Sequence, residues 1–141
     1  MIKNLLLILT IFILAACSNQ KPEEVAKKYL ENYHNGNADA VIDVIYVPDV
    51  FNITQEQKDA LMKQNVPFIR EGVRQQGLLT IEKGGIDNIE VLSTQCFDKV
   101  SDPSKKLCTV ELKIYFKNST TWISQVHLSQ TSDGWKVNMR L

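Results

Sequence analysis

Five side chains in this sequence suit covalent, redox or proton-transfer chemistry by type: cysteines 17, 96 and 108 and histidines 34 and 127. Cys17 closes an apolar run, Leu5 to Leu14 broken only by Thr10, after which come the small residues Ala15 and Ala16, with Lys3 ahead of it all. A positive start, an apolar stretch and small residues before a cut are the anatomy of a secretory signal. The stretch from Asn4 to Cys17 is too short for a comfortable transmembrane helix, which takes about 20 residues. The competing readings are an ordinary signal peptide with an incidental Cys and an uncleaved anchor.

Cys96 and Cys108 are equidistant from Asp102, and Val100-Ser101-Asp102-Pro103-Ser104 has turn chemistry. A hairpin folded there sets the two thiols directly opposite. A cross-strand disulfide would suit an oxidising compartment and, closing a short loop, would stabilise by about 3 kcal/mol at most. Two buried free thiols are the alternative. No CxxC or HxxxH spacing occurs, so neither a metal nor another cofactor is expected. His34 falls at a predicted helix end beside Gly36, where the helix dipole favours a cation. His127 is expected on an open sheet face near Glu111. Asn52-Ile53-Thr54 and Asn118-Ser119-Thr120 match the glycosylation pattern but read here as a helix start and a hairpin loop.

Leu14-Ala15-Ala16-Cys17 resembles the bacterial lipobox. The resemblance implies that diacylglycerol is attached to the Cys17 sulfur, that residues 1–16 are cut away and that the new amino group is acylated. Two or more acyl chains anchor stably where one does not. The expected layout is a lipoprotein signal peptide over 1–16, a lipidated Cys and polar tether over 17–21, and a single domain over 22–141. The expected location is the bacterial cell envelope, held to the membrane through Cys17. Ser18 after the Cys resembles an outer-membrane sorting signal, which in a two-membrane cell would leave the domain facing the periplasm.

The bulk numbers allow one domain of 141 residues. Basic and acidic residues balance at 16 each, and removing residues 1–16 takes away only Lys3, leaving a net charge of −1. Nothing in that balance supports nucleic-acid binding.

The positioning elements follow from periodicity. Pro22-Glu23-Glu24 begins a helix whose one face carries Val25, Ala26, Tyr29, Leu30 and Tyr33, stopped by Gly36. Asn37 or Asp39 begins a second, carrying Val41, Ile42, Ile45 and Tyr46 and ended by Pro48. Thr54-Gln55-Glu56-Gln57 is a capping box for a third, broken or kinked near Asn65 by Pro67 and ended by Gly77. From Leu78 the period becomes two, predicting strands over 78–83, 86–97, 105–117, 121–130 and 134–141. The phase slips between Val91 and Leu92, so a bulge is expected there, and with it a curved sheet.

A hairpin loop of Asn118-Ser119-Thr120 pairs Phe116 with Trp122, Ile114 with Ser124, Leu112 with Val126 and Val110 with Leu128. That makes one face apolar and sets Glu111 opposite His127, Lys113 opposite Gln125 and Tyr115 opposite Ile123. A turn centred on Ser132-Asp133 pairs Leu128 with Val137 and continues the apolar face through Trp135 and Met139.

Three N-terminal helices on a curved antiparallel sheet, an α+β arrangement, resemble the nuclear transport factor 2-like fold. The lipobox LAAC, the opening KPEEVAKKYLENYHNGNADAVIDVI and the strand run CTVELKIYFKNSTTWISQVHLSQTSDGWKVNMRL are similar to small bacterial lipoproteins of that superfamily, grouped as a domain of unknown function. The resemblance implies a pocket between sheet and helices. Its expected lining is Tyr29 and Tyr33 from the helices and Leu112, Ile114, Phe116, Trp122, Ser124, Val126 and Trp135 from the sheet. Isomerases of this superfamily work with an Asp base facing oxyanion donors. No Asp, Glu or His falls on the core-facing strand positions here, which leaves helical Tyr29, Tyr33 and Asp43 as the polar groups that could contribute. The expectation is a non-catalytic domain that binds a partner protein or a small apolar ligand. The rivals are a pocket enzyme of the isomerase or cyclase kind and a structural envelope component. Relatives of this fold often pair through the open sheet face, so dimerisation stays open.

Overall fold

The computed structural model describes residues 20–49 and 52–140. Cys17, the apolar run before it and most of the tether lie outside the described residues. Helix α1, Pro22–His34, starts on a proline with Glu23 and Glu24 in its first turn, and the Glu24 carboxylate accepts from the Lys21 amide at 3.3 Å. It ends at Asn35, and Gly36 turns the chain with φ +75°. Helix α2, Ala38–Val44, is capped by Asn37.

The second helix is shorter than its spacing predicts. Ile45–Tyr46 forms a strand, β1, beside the last strand of the sheet. An unpaired strand edge offers Ile45 and Tyr46 backbone partners, and their β-branched and aromatic side chains fit a strand. The Met139 amide donates to the Tyr46 carbonyl at 2.8 Å and extends that pairing.

Helix α3, Gln55–Glu82, runs unbroken for 28 residues behind the expected Thr54 capping box, with the Gln57 amide on Thr54 Oγ1 at 3.2 Å and the Thr54 amide on Gln57 Oε1 at 2.7 Å. The expected break at Pro67, stop at Gly77 and strand over 78–83 are all overturned. Pro67 denies a hydrogen bond to the Lys63 carbonyl, but both residues are exposed, so that carbonyl is not left in an apolar interior. Val73, Gly77 and Thr80 are the buried residues of α3 and fall on one helical face. Gly77 is a contact: a Cβ there would stand 2.9 Å from the Gly36 Cα. Gly84 and Gly85, at φ +80° and +94°, end the helix.

The remaining strands are β2, Ile86–Lys99, β3, Asp102–Phe116, β4, Thr121–Thr131, and β5, Gly134–Asn138. The sheet order is β1-β5-β4-β3-β2. It is mixed rather than wholly antiparallel, because β1 runs parallel to β5. A register shift between Val91 and Ser93 is the expected bulge, and the β4–β5 register with Leu128 opposite Val137 is as expected.

The β3–β4 register is displaced by two residues from the expectation. Trp122 lies opposite Ile114, Ser124 opposite Leu112, Val126 opposite Val110 and Leu128 opposite Cys108. His127 accordingly faces Thr109, Gln125 faces Glu111 and Ile123 faces Lys113, so Tyr115 and Ile123 are not an opposed apolar pair. The loop is Lys117-Asn118-Ser119, closed by the Phe116 amide on the Thr120 carbonyl at 2.9 Å, with Ser119 at φ +69°. A left-handed residue at the third loop position is the usual closure of a three-residue hairpin. A shift of two keeps each side chain on its face.

The core therefore assembles as expected: Val110, Leu112, Ile114 and Phe116 with Val126, Leu128 and Val137 receive Val25, Ala26 and Leu30 of α1. The core, caps and strand pairings of the described residues form one unit. α1 rests on the sheet, whereas α3 rests chiefly on α1 and α2.

Glycine substitutions in α3 separate propensity from packing. Gly72 has open space around a built Cβ, so Gly72→Ala should stabilise by about 0.5–1 kcal/mol. Gly77→Ala gains the same propensity but forces two backbones apart and should destabilise by about 1–3 kcal/mol. Urea unfolding midpoints of the two variants should move in opposite directions. Equal shifts would mean that α3 does not touch the Gly36 turn.

Candidate functional site

Holding α3 away from the sheet opens a cleft of about 620 Å³ between α3 and the start of β4. α1 contributes Tyr29, Tyr33 and His34 to it. α3 contributes Phe68, Gln76 and Leu79, its C-cap contributes Lys83, and the sheet contributes Phe116, Trp122, Ser124 and Val126. Met139 and Arg140 close it from the C-terminal side.

Six of the nine expected lining residues meet there: Tyr29, Tyr33, Phe116, Trp122, Ser124 and Val126. Leu112 and Ile114 do not. Both are fully buried in the core. Trp135 is elsewhere too, in a second cavity of about 690 Å³ between α1, α2 and the β4–β5 turn, which also takes Tyr29 and Asp43. Trp122 was expected to face the core, yet it is 59% exposed. It sits at the mouth of the cleft, where α1 no longer covers β4.

His34 belongs to the cleft and corrects the expectation of a solvated, dipole-stabilised cation. It is buried, its Nδ1 lying 3.0 Å from the Gln76 side-chain amide and 3.3 Å from Thr80 Oγ1. Its ring packs at 5.6 Å from Phe116 and 5.7 Å from Tyr33, centroid to centroid. A neutral ring protonated on Nε2 accepts the Gln76 amide at Nδ1. Burial first, and the nearby Lys83 ammonium second, push the His34 pKa down to about 4. The sequence held the signal, since Ala26, Leu30 and His34 are spaced by four and share the buried face of α1.

Two cations complete the cleft, and sequence reading singled out neither. Lys83 Nζ lies 4.4 Å from the Phe116 ring centroid and 6.0 Å from that of Trp122. Arg140 donates to the Gln125 carbonyl at 3.1 Å. Burial, then the neighbouring Tyr33, raise the Tyr29 pKa, while Arg140 pulls it the other way.

His127 is exposed and also borders the cleft, with Nδ1 2.9 Å from Thr109 Oγ1. Glu111 instead accepts from Gln125 at 3.2 Å. Cys96 and Cys108 are opposite residues of β2 and β3, bonded as a disulfide with Cα atoms 4.1 Å apart. The free-thiol alternative is thereby overturned. Among the described residues there is no cluster of three or more His, Cys, Asp or Glu suited to a metal, and no helix is long and apolar enough to cross a membrane.

No protein-family profile and no curated protein matches the sequence. Among solved structures, the chain is similar to a Campylobacter jejuni protein described as an NTF2-like transpeptidase. The TM-score is 0.66 at 17% identity, covering 86% of this chain and 100% of that one. A likeness at that identity carries the fold alone. The α+β arrangement of three helices and a five-stranded mixed sheet is that of the nuclear transport factor 2-like fold.

The buried histidine sets a pH dependence. With its folded pKa near 4 against 6.5 unfolded, the native state binds fewer protons than the unfolded chain between those values. Its neutral burial is thus fully compatible with folding above pH 6.5, and stability falls as the pH drops toward 4. The loss should reach about 3 kcal/mol as an upper bound. Urea midpoints measured from pH 7 to 4 should fall in the wild type and flatten in His34→Gln. A wild-type profile as flat as the variant's would refute the assignment.

The disulfide gives a second measurement. Replacing both Cys96 and Cys108 by Ser should cost up to about 3 kcal/mol of stability without altering the far-ultraviolet spectrum at 20 °C. Unchanged stability between reduced and oxidised wild type would show that the staple contributes nothing.

Proposed function

We propose that this chain is a lipid-anchored bacterial envelope lipoprotein whose domain binds a small apolar ligand without transforming it. The anchoring part rests on the lipobox resemblance of Leu14-Ala15-Ala16-Cys17 and on the short polar tether that follows it. The binding part rests on one observation: an apolar-walled cleft of about 620 Å³, within the range of small-molecule sites.

The absence of catalysis is supported by the chemistry of the lining. A histidine whose pKa lies near 4 is a weak base at neutral pH, and the lone pair of His34 Nδ1 already accepts from the Gln76 amide. Transpeptidation, the activity named for the Campylobacter neighbour, needs a Ser or Cys nucleophile beside a base. Ser124 is the only Ser or Cys lining the cleft. His127 also borders the cleft, but strand alternation turns its side chain to the opposite face of β4 from Ser124, and its Nδ1 is held by Thr109.

Intact mass of the protein extracted from envelope membranes tests the anchoring. The expected species lacks residues 1–16, carries diacylglyceryl and acyl groups on Cys17 and is two hydrogens light for the disulfide. Cys17→Ser should release the protein or leave it in the wrong place. A Cys17→Ser form that is correctly trimmed and still fractionates with envelope lipid would overturn the proposal.

A further inference from the structure

The charged side chains of the cleft are of one sign. Among the described residues, Lys83 and Arg140 are the only Lys or Arg lining it, beside His34 and His127, and no Asp or Glu does. Neither cation enters an ion pair among the described residues. Lys83 rests over aromatic rings and Arg140 on a backbone carbonyl, both neutral partners. The second cavity, by contrast, sets Lys28 and Lys136 against Asp43 and Asp133. The chain as a whole is balanced, so the positive potential belongs to the cleft. Low-dielectric walls focus such a field and strengthen its pull on an anion.

The walls specify the rest of the ligand. Phe68, Leu79 and Trp122 are 72%, 49% and 59% exposed, and all three line the cleft. Covering them with an apolar body removes that area from water and is favourable. The volume suits one small molecule.

We propose that the cleft binds a small amphipathic monoanion, an apolar body bearing one carboxylate, with Lys83 seating the headgroup and Arg140 adding to the field. The inference rests on the ligand-binding reading above and names its ligand class. A carboxylate approaching Lys83 replaces no existing ion pair, while its tail runs along the α3 side chains toward Phe68.

The test uses the chain from Gln20 onward in detergent-free buffer, its folding first checked by circular dichroism and a cooperative urea transition. Decanoate, 1-decanol and decylammonium are titrated calorimetrically below micelle formation, with Trp122 fluorescence as a second readout. Decanoate should bind one to one, at least tenfold tighter than decanol, and decylammonium weakest. Lys83→Gln should weaken decanoate at least fivefold and leave decanol within twofold. Lys83→Arg should keep most of the affinity, and Lys28→Gln, in the second cavity, should change nothing. Equal affinity for all three probes would overturn the charge selectivity and leave the ligand-binding reading standing. No binding of any probe would overturn both. A concentration-dependent dimer that shields Trp122 would overturn the inference in favour of a second copy of the chain. Weakening by Lys28→Gln rather than Lys83→Gln would move the site and overturn it as well.

Discussion

The contact that sets the shape of this molecule is a backbone crossing without side chains. The turn after α1 meets α3 at Gly36 and Gly77, so closely that a Cβ at Gly77 would lie 2.9 Å from the Gly36 Cα. Because α3 docks there, and on α2, it does not lie flat on the sheet. Val73, Gly77 and Thr80 are the buried residues of its 28. Among the described residues its further ties include His34 with Gln76 and Thr80, Arg70 with Asp39, and Lys58 with Asp49 and the Tyr46 ring. The Arg70–Asp39 pair is exposed and contributes little. Asp49 gathers Lys58 from α3 and Lys99 from the end of β2, and these hydrogen bonds hold its carboxyl well below the usual range. Burial and the same carboxylate push the Tyr46 phenol up to about 12. The cleft is the space that this mode of docking leaves between helix and sheet.

The sheet supplies a complementary constraint. β3 is paired on both sides along most of its length, and its alternate residues Val110, Leu112, Ile114 and Phe116 are buried. α1 seals the middle of that row, and Leu112 and Ile114 line neither of the two cavities. Phe116, at the end of the row, is also buried yet borders the cleft, between His34 and Lys83. One apolar face thus serves as core at its centre and as cleft wall at its end. The difference comes from how far α1 extends.

Much of this was legible in the sequence where a local cause decides the outcome. Pro22, the Thr54–Gln57 capping box, the Gly84-Gly85 turn, the bulge at Val91–Leu92 and the Cys96–Cys108 pairing each rest on neighbours in sequence or on one hairpin. The failures come where a distant partner decides. Ile45 and Tyr46 have helical spacing but meet the edge of β5. Gly77 has the look of a stop, and only Gly36, far off in sequence, explains it. The alternation over 78–83 suits a strand or the flank of a helix, and docking on α1 chose the helix. The β3–β4 register slipped by two because either loop position keeps the faces right, and only the conformation of Ser119 distinguishes them. In the cleft, aromatic and aliphatic residues were found from strand parity. Lys83 and Arg140 were not, because nothing local in their surroundings marks a cation left unpaired.

The direction of α1 relates the cleft to the proposed anchor. Cys17 precedes Pro22 by a tether that spans at most about 17 Å when fully extended, and Gln20, within it, lines the second cavity. The first cleft takes its α1 residues from the other half of the helix, Tyr29 to His34. A helix of 13 residues is about 20 Å long. On the proposed anchoring, the second cavity lies beside the tether and the cationic cleft begins about 10 Å further along α1, at Tyr29, which the two share. That distance exceeds the Debye length of about 8 Å at physiological salt. With the long axis of α1 raised from the bilayer, the cleft would feel its own two cations more than the charge of the lipid surface. Its preference for an anion would then be a property of Lys83 and Arg140, and the lipid beneath would leave it unchanged.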